Sequence, residues 1–162
     1  MDQIKIFTPA SVANVSCGFD VLGFCLDTIG DIMSVSKTEN PGVTIGTVTG
    51  QELPKDPLKN VASVAAYSLL KAHSPNNGFR IDIEKRIKPG SGIGSSAASA
   101  AGAVFAINEL LGKPYSRNEL VKFAMAGESL ASGAAHADNL APVLLGGFTL
   151  VRSNKTLDII KL

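Results

Sequence analysis

Three glycines at alternate positions, Gly90, Gly92 and Gly94, stand directly before two hydroxyl residues, Ser95 and Ser96, in the stretch K-P-G-S-G-I-G-S-S-A-A that begins at Lys88. Without Cβ atoms the backbone of such a loop can approach a ligand closely, and Pro89, Ser91 and Ile93 complete it as a phosphate cradle in outline. The run from Ser95 to Leu111 is rich in alanine and free of proline. It predicts a helix whose first unsatisfied N–H groups point back into the loop. Free amides at the positive end of a helix attract anions. The spacing is neither G-x-x-x-x-G-K-[ST] nor G-x-G-x-x-G, so spacing alone also admits a glycine-rich turn that caps a buried helix. Lys88 closes a basic run, Lys85 to Lys88, that can help to neutralise a phosphate, although charges beside a strand end are usually just solvated.

Four further places carry polar residues of chemical interest. Residues 9–23, P-A-S-V-A-N-V-S-C-G-F-D-V-L-G, mix small residues with single polar ones and show no clean period, as in a loop shaped around a ligand. Asn14 and Asp20 stand out there, although short polar side chains also cap turns and helix starts. Asn60 heads an apolar-periodic segment, where an N-terminal cap is the plain reading. Glu128 falls late in a predicted helix, ordinarily a surface position. His136, Asp138 and Asn139 lie in H-A-D-N ahead of Pro142 and Gly146-Gly147. Asp138 suits either a general base, if it reaches a hydroxyl, or a residue that orders its own loop.

P-G-S-G-I-G-S-S-A-A resembles the central motif of the GHMP kinases, the family named for galactokinase, homoserine kinase, mevalonate kinase and phosphomevalonate kinase. P-A-S-V-A-N…G-F-D-V-L-G and H-A-D-N-L-A-P-V-L-L-G-G resemble two further motifs of the homoserine-phosphorylating members. The resemblance implies an α+β fold: the two-layer GHMP kinase N-terminal domain, similar to the second domain of ribosomal protein S5, with a mixed sheet and helices packed on one side. It also implies ATP-dependent phosphorylation of the side-chain hydroxyl of L-homoserine, in threonine biosynthesis. Residues Lys88 to Ser96 would hold the ATP phosphates, with Asn60 near the base. The Ser96 hydroxyl, with Ser95 as the alternate, and the Glu128 carboxylate would hold Mg2+. Asn14, Asp20, His136 and Asn139 would orient the acceptor, and Asp138 and Asn139 are the candidates for a catalytic role, while the resemblance to homoserine-acting members also admits transfer without a dedicated base. GHMP kinases carry a second, C-terminal domain of comparable size. Residues 1–162 are therefore expected to be the N-terminal ATP-binding domain alone, with weak or no activity by itself, and family habit implies a homodimer.

The elements that must position these residues follow from periodicity. Ile4 to Thr8, Asp31 to Lys37, Val43 to Val48 and Phe79 to Glu84 read as strands. Leu58 to Ala72 has helical apolar spacing. Gly112 and Pro114 end the alanine-rich helix, and Ser116-Arg117-Asn118-Glu119 is a capping box that opens another helix through about Ser129. Phe148 to Arg152 and Leu157 to Lys161 form a terminal hairpin. Close approach of the two helices at Ala and Gly positions would bring Glu128 to the end of the glycine loop.

With 45% hydrophobic and 18% charged residues the 162-residue chain fits one folded domain. A net charge of +1 argues for neither a nucleic acid nor a membrane surface as partner. The lack of an n-region and h-region at the start predicts a cytoplasmic protein. Cys17 and Cys25 make no disulfide framework, and with His73 and His136 alone a multi-histidine zinc site is excluded. The competing readings are another GHMP kinase, of mevalonate or sugar type, and a non-catalytic S5-like interaction domain. A dinucleotide module fails on the glycine spacing.

Overall fold

In a computed structural model, which describes residues 1–133 and 136–162, the chain opens as a long hairpin of β1 (Gln3–Val15) and β2 (Gly18–Thr38). β2 is long enough to serve two neighbours on its other edge. Its residues Ile32 to Thr38 pair with β4 (Gly78–Glu84), and Leu22 to Phe24 pair with β5 (Phe148–Ser153). β3 (Gly42–Thr49) runs parallel to β4, and β6 (Asp158–Lys161) closes the far edge against β5, giving a mixed six-stranded sheet.

The helices lie against one face. Met33 and Val35 of β2 meet Ile83 and Ile81 of β4 across the register, all four buried. The alternate residues Ser34, Arg80 and Asp82 turn to the other, polar face, as in an antiparallel sheet wet on one side. α1 (Val61–His73) and α3 (Arg117–Ser132) flank α2 (Ser95–Leu110), which packs on β1 and β2 and is buried along most of its length. Alanine and glycine make that possible, because a helix with little side-chain bulk can be enclosed on several sides. At Gly102 a Cβ would lie 2.2 Å from Thr8 Cγ2 of the sheet, and at Gly127 of α3 it would lie 2.6 Å from the Val61 carbonyl oxygen and 3.1 Å from Ala100 Cβ. The capping box is present: the Ser116 hydroxyl accepts from Glu119 N and the Glu119 carboxylate accepts from Ser116 N.

Two elements differ from the sequence expectation. Residues 9–23 are not a free loop but the end of the β1–β2 hairpin. Their aperiodic pattern reflects register shifts between Pro9 and Ser11 and between Ala13 and Val15, with left-handed backbone at Asn14 (φ 59°), Ser16 (φ 53°) and Asp20 (φ 58°). A short helix, α4 (Leu140–Leu145), follows the H-A-D-N motif where none was expected. Pro142 sits in its first turn, where a missing N–H costs no internal hydrogen bond. Ala134 and Ala135, just before that motif, lie outside the described residues.

Candidate active site

The phosphate-type loop runs from the end of β4 into α2. Gly90 (φ 75°), Gly92 (φ 79°) and Gly94 (φ 65°) are all left-handed, a conformation that costs an L-residue roughly 1–2 kcal/mol. A Cβ at Gly90 or Gly92 would meet nothing within 4 Å, so their requirement is conformational. Gly94 is also sterically confined: a Cβ there would fall 2.0 Å from Ser11 Oγ. As the N-cap of α2, Gly94 offers no side-chain acceptor. The first N–H groups of this 16-residue helix are thus left for another acceptor.

These amides open on a cavity of about 540 Å³. Pro89, Gly90, Gly92, Gly94, Ser95 and Ser96 line it from the loop, Asn14 from the hairpin, Asn60 from the start of α1, Glu128 from α3, and Asn139 from the start of α4. Leu53, Pro54 and Val61 add apolar surface and Lys59 a cation. Lys88 and Ser91 are exposed outside this lining, while Ile93 packs beneath the loop on Ala10, Ile87 and Ala98.

The two serines divide their tasks. The Ser95 hydroxyl donates to the Ile87 carbonyl and anchors the loop, whereas Ser96 lines the cavity with Glu128, close enough to favour its ionised carboxylate. Burial pushes the Glu128 carboxyl above its ordinary range; Ser96 and His136 oppose that, and Asp138 adds to it. The sequence expectation that close packing of α2 and α3 brings Glu128 to the loop holds, with Gly127 as the point of approach. Asn60 is used structurally as well: its side chain accepts from Ala62 N at 3.0 Å and donates to the Pro54 carbonyl at 2.7 Å, capping α1 and fixing the cavity wall.

On the hairpin side, Asn14 Oδ1 accepts from Asp20 N at 2.8 Å and holds the tip together. Asp20 Oδ1 lies 3.7 Å from His136 Nδ1. Asp138 is 3% exposed and accepts from Asn139 N at 3.0 Å. Burial raises its carboxyl above the ordinary range, with Asp20 adding to the effect. Asp20, His136 and Asp138 thus cluster beside the cavity without lining it.

Sequence reasoning passed over Lys85. It lines the cavity from below, 1% exposed, and pairs with the equally buried Asp31. Its Nζ also donates to the Ser95 carbonyl at 2.8 Å and to Ser99 Oγ at 3.1 Å. The other Asp31 oxygen accepts from Arg86 N and Ile87 N at 2.8 and 2.9 Å. One ion pair therefore ties β2, the strand end before the loop, and the first turn of α2. Burial lowers the Lys85 ammonium from its ordinary value and the charge of Asp31 opposes that shift.

A mixed sheet with helices on one side and a glycine loop feeding a central helix describes a known class of small-molecule kinase domain, and comparison agrees. The family model "GHMP kinases N terminal domain" matches residues 60–147, more than half of the chain, and the chain belongs to this family. Among curated relatives it is similar to homoserine kinase of Chloroherpeton thalassium, 46% identical over 172 residues, covering 99% of this chain and 54% of the relative. Homoserine kinase of Methanococcus maripaludis is 44% identical over 163 residues with the same coverage. The crystal structure of homoserine kinase from Cytophaga hutchinsonii superposes with a TM-score of 0.93 at 50% identity, over 100% of this chain and 52% of that one. Mevalonate kinase of Methanococcus jannaschii shares the fold, with a TM-score of 0.74 at 19% identity over 99% of this chain and 56% of that one. The chain spans about half the length of the curated relatives it matches.

Proposed function

We propose that this chain is the nucleotide-binding domain of an ATP-dependent kinase that phosphorylates the side-chain hydroxyl of L-homoserine, a reaction of threonine biosynthesis in the cytoplasm. The observation that carries the nucleotide half is the uncapped start of α2, opening through left-handed glycines into a cavity that also holds the Ser96–Glu128 pair. The relatives named homoserine kinase, at 44–46% identity, favour the acceptor over that of the mevalonate-type kinases, whose likeness is in the fold.

Phosphoryl transfer asks a protein chiefly for positioning and charge neutralisation. The amides of Gly90 to Ser96 hold the phosphates, the neutral Lys85–Asp31 pair fixes the loop and the first turn of α2 beneath them, and the base rests against Leu53, Pro54 and Val61. Ser96 and Glu128 would supply an oxygen-only donor set of hydroxyl and carboxylate, which fits Mg2+. Bound there, the cation neutralises charge on the transferred phosphoryl group. On the acceptor side Asp20 meets the ammonium group, while Asn14, His136 and Asn139 supply donors to the hydroxyl and carboxylate. Asp138, buried and bonded to Asn139 N, orders this loop and is the candidate for a base.

The acceptor assignment is tested by calorimetric titration of L-homoserine into the chain saturated with AMP-PNP and Mg2+. Heat is expected with L-homoserine and none with mevalonate, and Asp20→Ala abolishes it. Equal heats for Asp20→Ala and the unmodified chain would contradict the assignment.

A further inference from the structure

Ser11 of β1 is 0% exposed and touches both the phosphate-type loop and Asn139 without lining the cavity. Its N–H donates to the Ile93 carbonyl of the phosphate-type loop at 3.2 Å, and its hydroxyl donates to Asn139 Oδ1 at 2.9 Å. Gly94 is seated between these partners: a Cβ there would lie 2.0 Å from Ser11 Oγ, 3.1 Å from the Ser11 carbonyl oxygen and 3.2 Å from Asn139 Oδ1. The register shift between Pro9 and Ser11 falls at this point of the hairpin.

We propose that Ser11 is a positioning residue that couples the nucleotide loop to the acceptor side of the site, a role that rests on the kinase reading above. Two physical features make the coupling effective. The three segments meet in contact, and a close-packed junction transmits displacement instead of absorbing it. The hydroxyl also engages the oxygen of the Asn139 carboxamide, which leaves the two Nδ2 donors for an accepting oxygen, that of a carboxylate or of a hydroxyl of the acceptor. A loop that shifts on filling with phosphate therefore moves Ser11, and through it the Asn139 carboxamide. With Ala at position 11 the carboxamide has no fixed partner on that side and is free to turn about its last torsion, whose wells are broad.

The test is solution NMR on the 15N-labelled chain, with the Asn139 side-chain amide assigned by its disappearance in Asn139→Asp. In the ligand-free chain the Asn139 Nδ2 protons are expected away from the positions of solvated amides, moving to those positions in Ser11→Ala. On titration with AMP-PNP and Mg2+ the Gly90 and Gly92 amides report occupation of the loop. The Asn139 side-chain amide should respond with them in the unmodified chain and lose its response in Ser11→Ala. An Asn139 response of equal size in the two proteins overturns the proposal. Should Ser11→Ala fail to fold, Ser11→Cys, with nearly the same volume and only a weak donor, decides on the same readout. Gly90 and Gly92 amides that stay still in the unmodified chain defeat the nucleotide reading itself, and unchanged ligand-free Asn139 resonances in the variant defeat the Ser11 link independently.

Discussion

Burial holds the Glu128 carboxyl above the ordinary carboxylate range, against the pull of Ser96, and Asp138 is raised beside it. Between the unfolded value, about 4.3 for Glu, and the raised folded value, the folded chain binds more protons than the unfolded one. Stability therefore falls as pH rises through that window. Glu128→Gln removes the penalty, so it should raise Tm at pH 7 and give no advantage below about pH 4, where both states are protonated. Thermal melts across this range check the sign. The same substitution should weaken Mg2+-dependent nucleotide binding, a trade of function for stability common in active sites. The Lys85–Asp31 pair tests a different point. Lys85→Met alone leaves a buried carboxylate without its cation and should cost about 3–5 kcal/mol in urea unfolding, whereas Lys85→Met with Asp31→Asn, which removes the charge but keeps an oxygen acceptor for Arg86 N and Ile87 N, should recover most of that loss. If that double variant also binds nucleotide normally, the pair is a structural device only.

At the scale of elements, α2 is the piece on which the site depends, and its start is held in a left-handed turn at Gly94. Gly94→Ala should lose about 1–3 kcal/mol by strain and displacement of Ser11, read by denaturant midpoint. Ser116→Ala, which breaks the capping box of α3 far from the cavity, should cost about 1 kcal/mol and leave nucleotide affinity unchanged. Strong periodicity made most elements legible, from the Phe79, Ile81, Ile83 alternation to the capping box at Ser116. The same alternation, carried one step past Glu84, places Lys85 on the inward face with Ile83 and Ile87, and Asp31 shares the buried parity of Met33 and Val35. Both were legible by position but obscured by their charge, since a buried ion pair is announced only when its partner, 54 residues away, is known. The hairpin at residues 9–23 was hidden for the opposite reason: its register shifts and positive-φ residues erase the period of two on which strands are recognised. Asn14, Asn60, Glu128 and Asn139 were found through motif likeness, while Ser11 could be placed only by the fold.

Across the whole molecule, the cavity joins contributions from the hairpin, α1, the loop into α2, α3 and the start of α4. Such a site exists only when the sheet and helices are assembled, so ligand binding and folding should be linked: saturating AMP-PNP with Mg2+ should raise Tm, and the rise should grow with ligand concentration. Among the described residues no helix is long and apolar enough to cross a membrane. The central claim, that the uncapped start of α2 with Ser96 and Glu128 forms a nucleotide site, is tested most directly by calorimetric titration of the chain with AMP-PNP and Mg2+ beside Ser96→Ala and Glu128→Gln. Saturable one-site binding, weakened about ten-fold or more in each variant through the loss of a charged interaction, is the predicted result. A folded chain that takes up no nucleotide, or that binds it equally well in both variants, would contradict the claim.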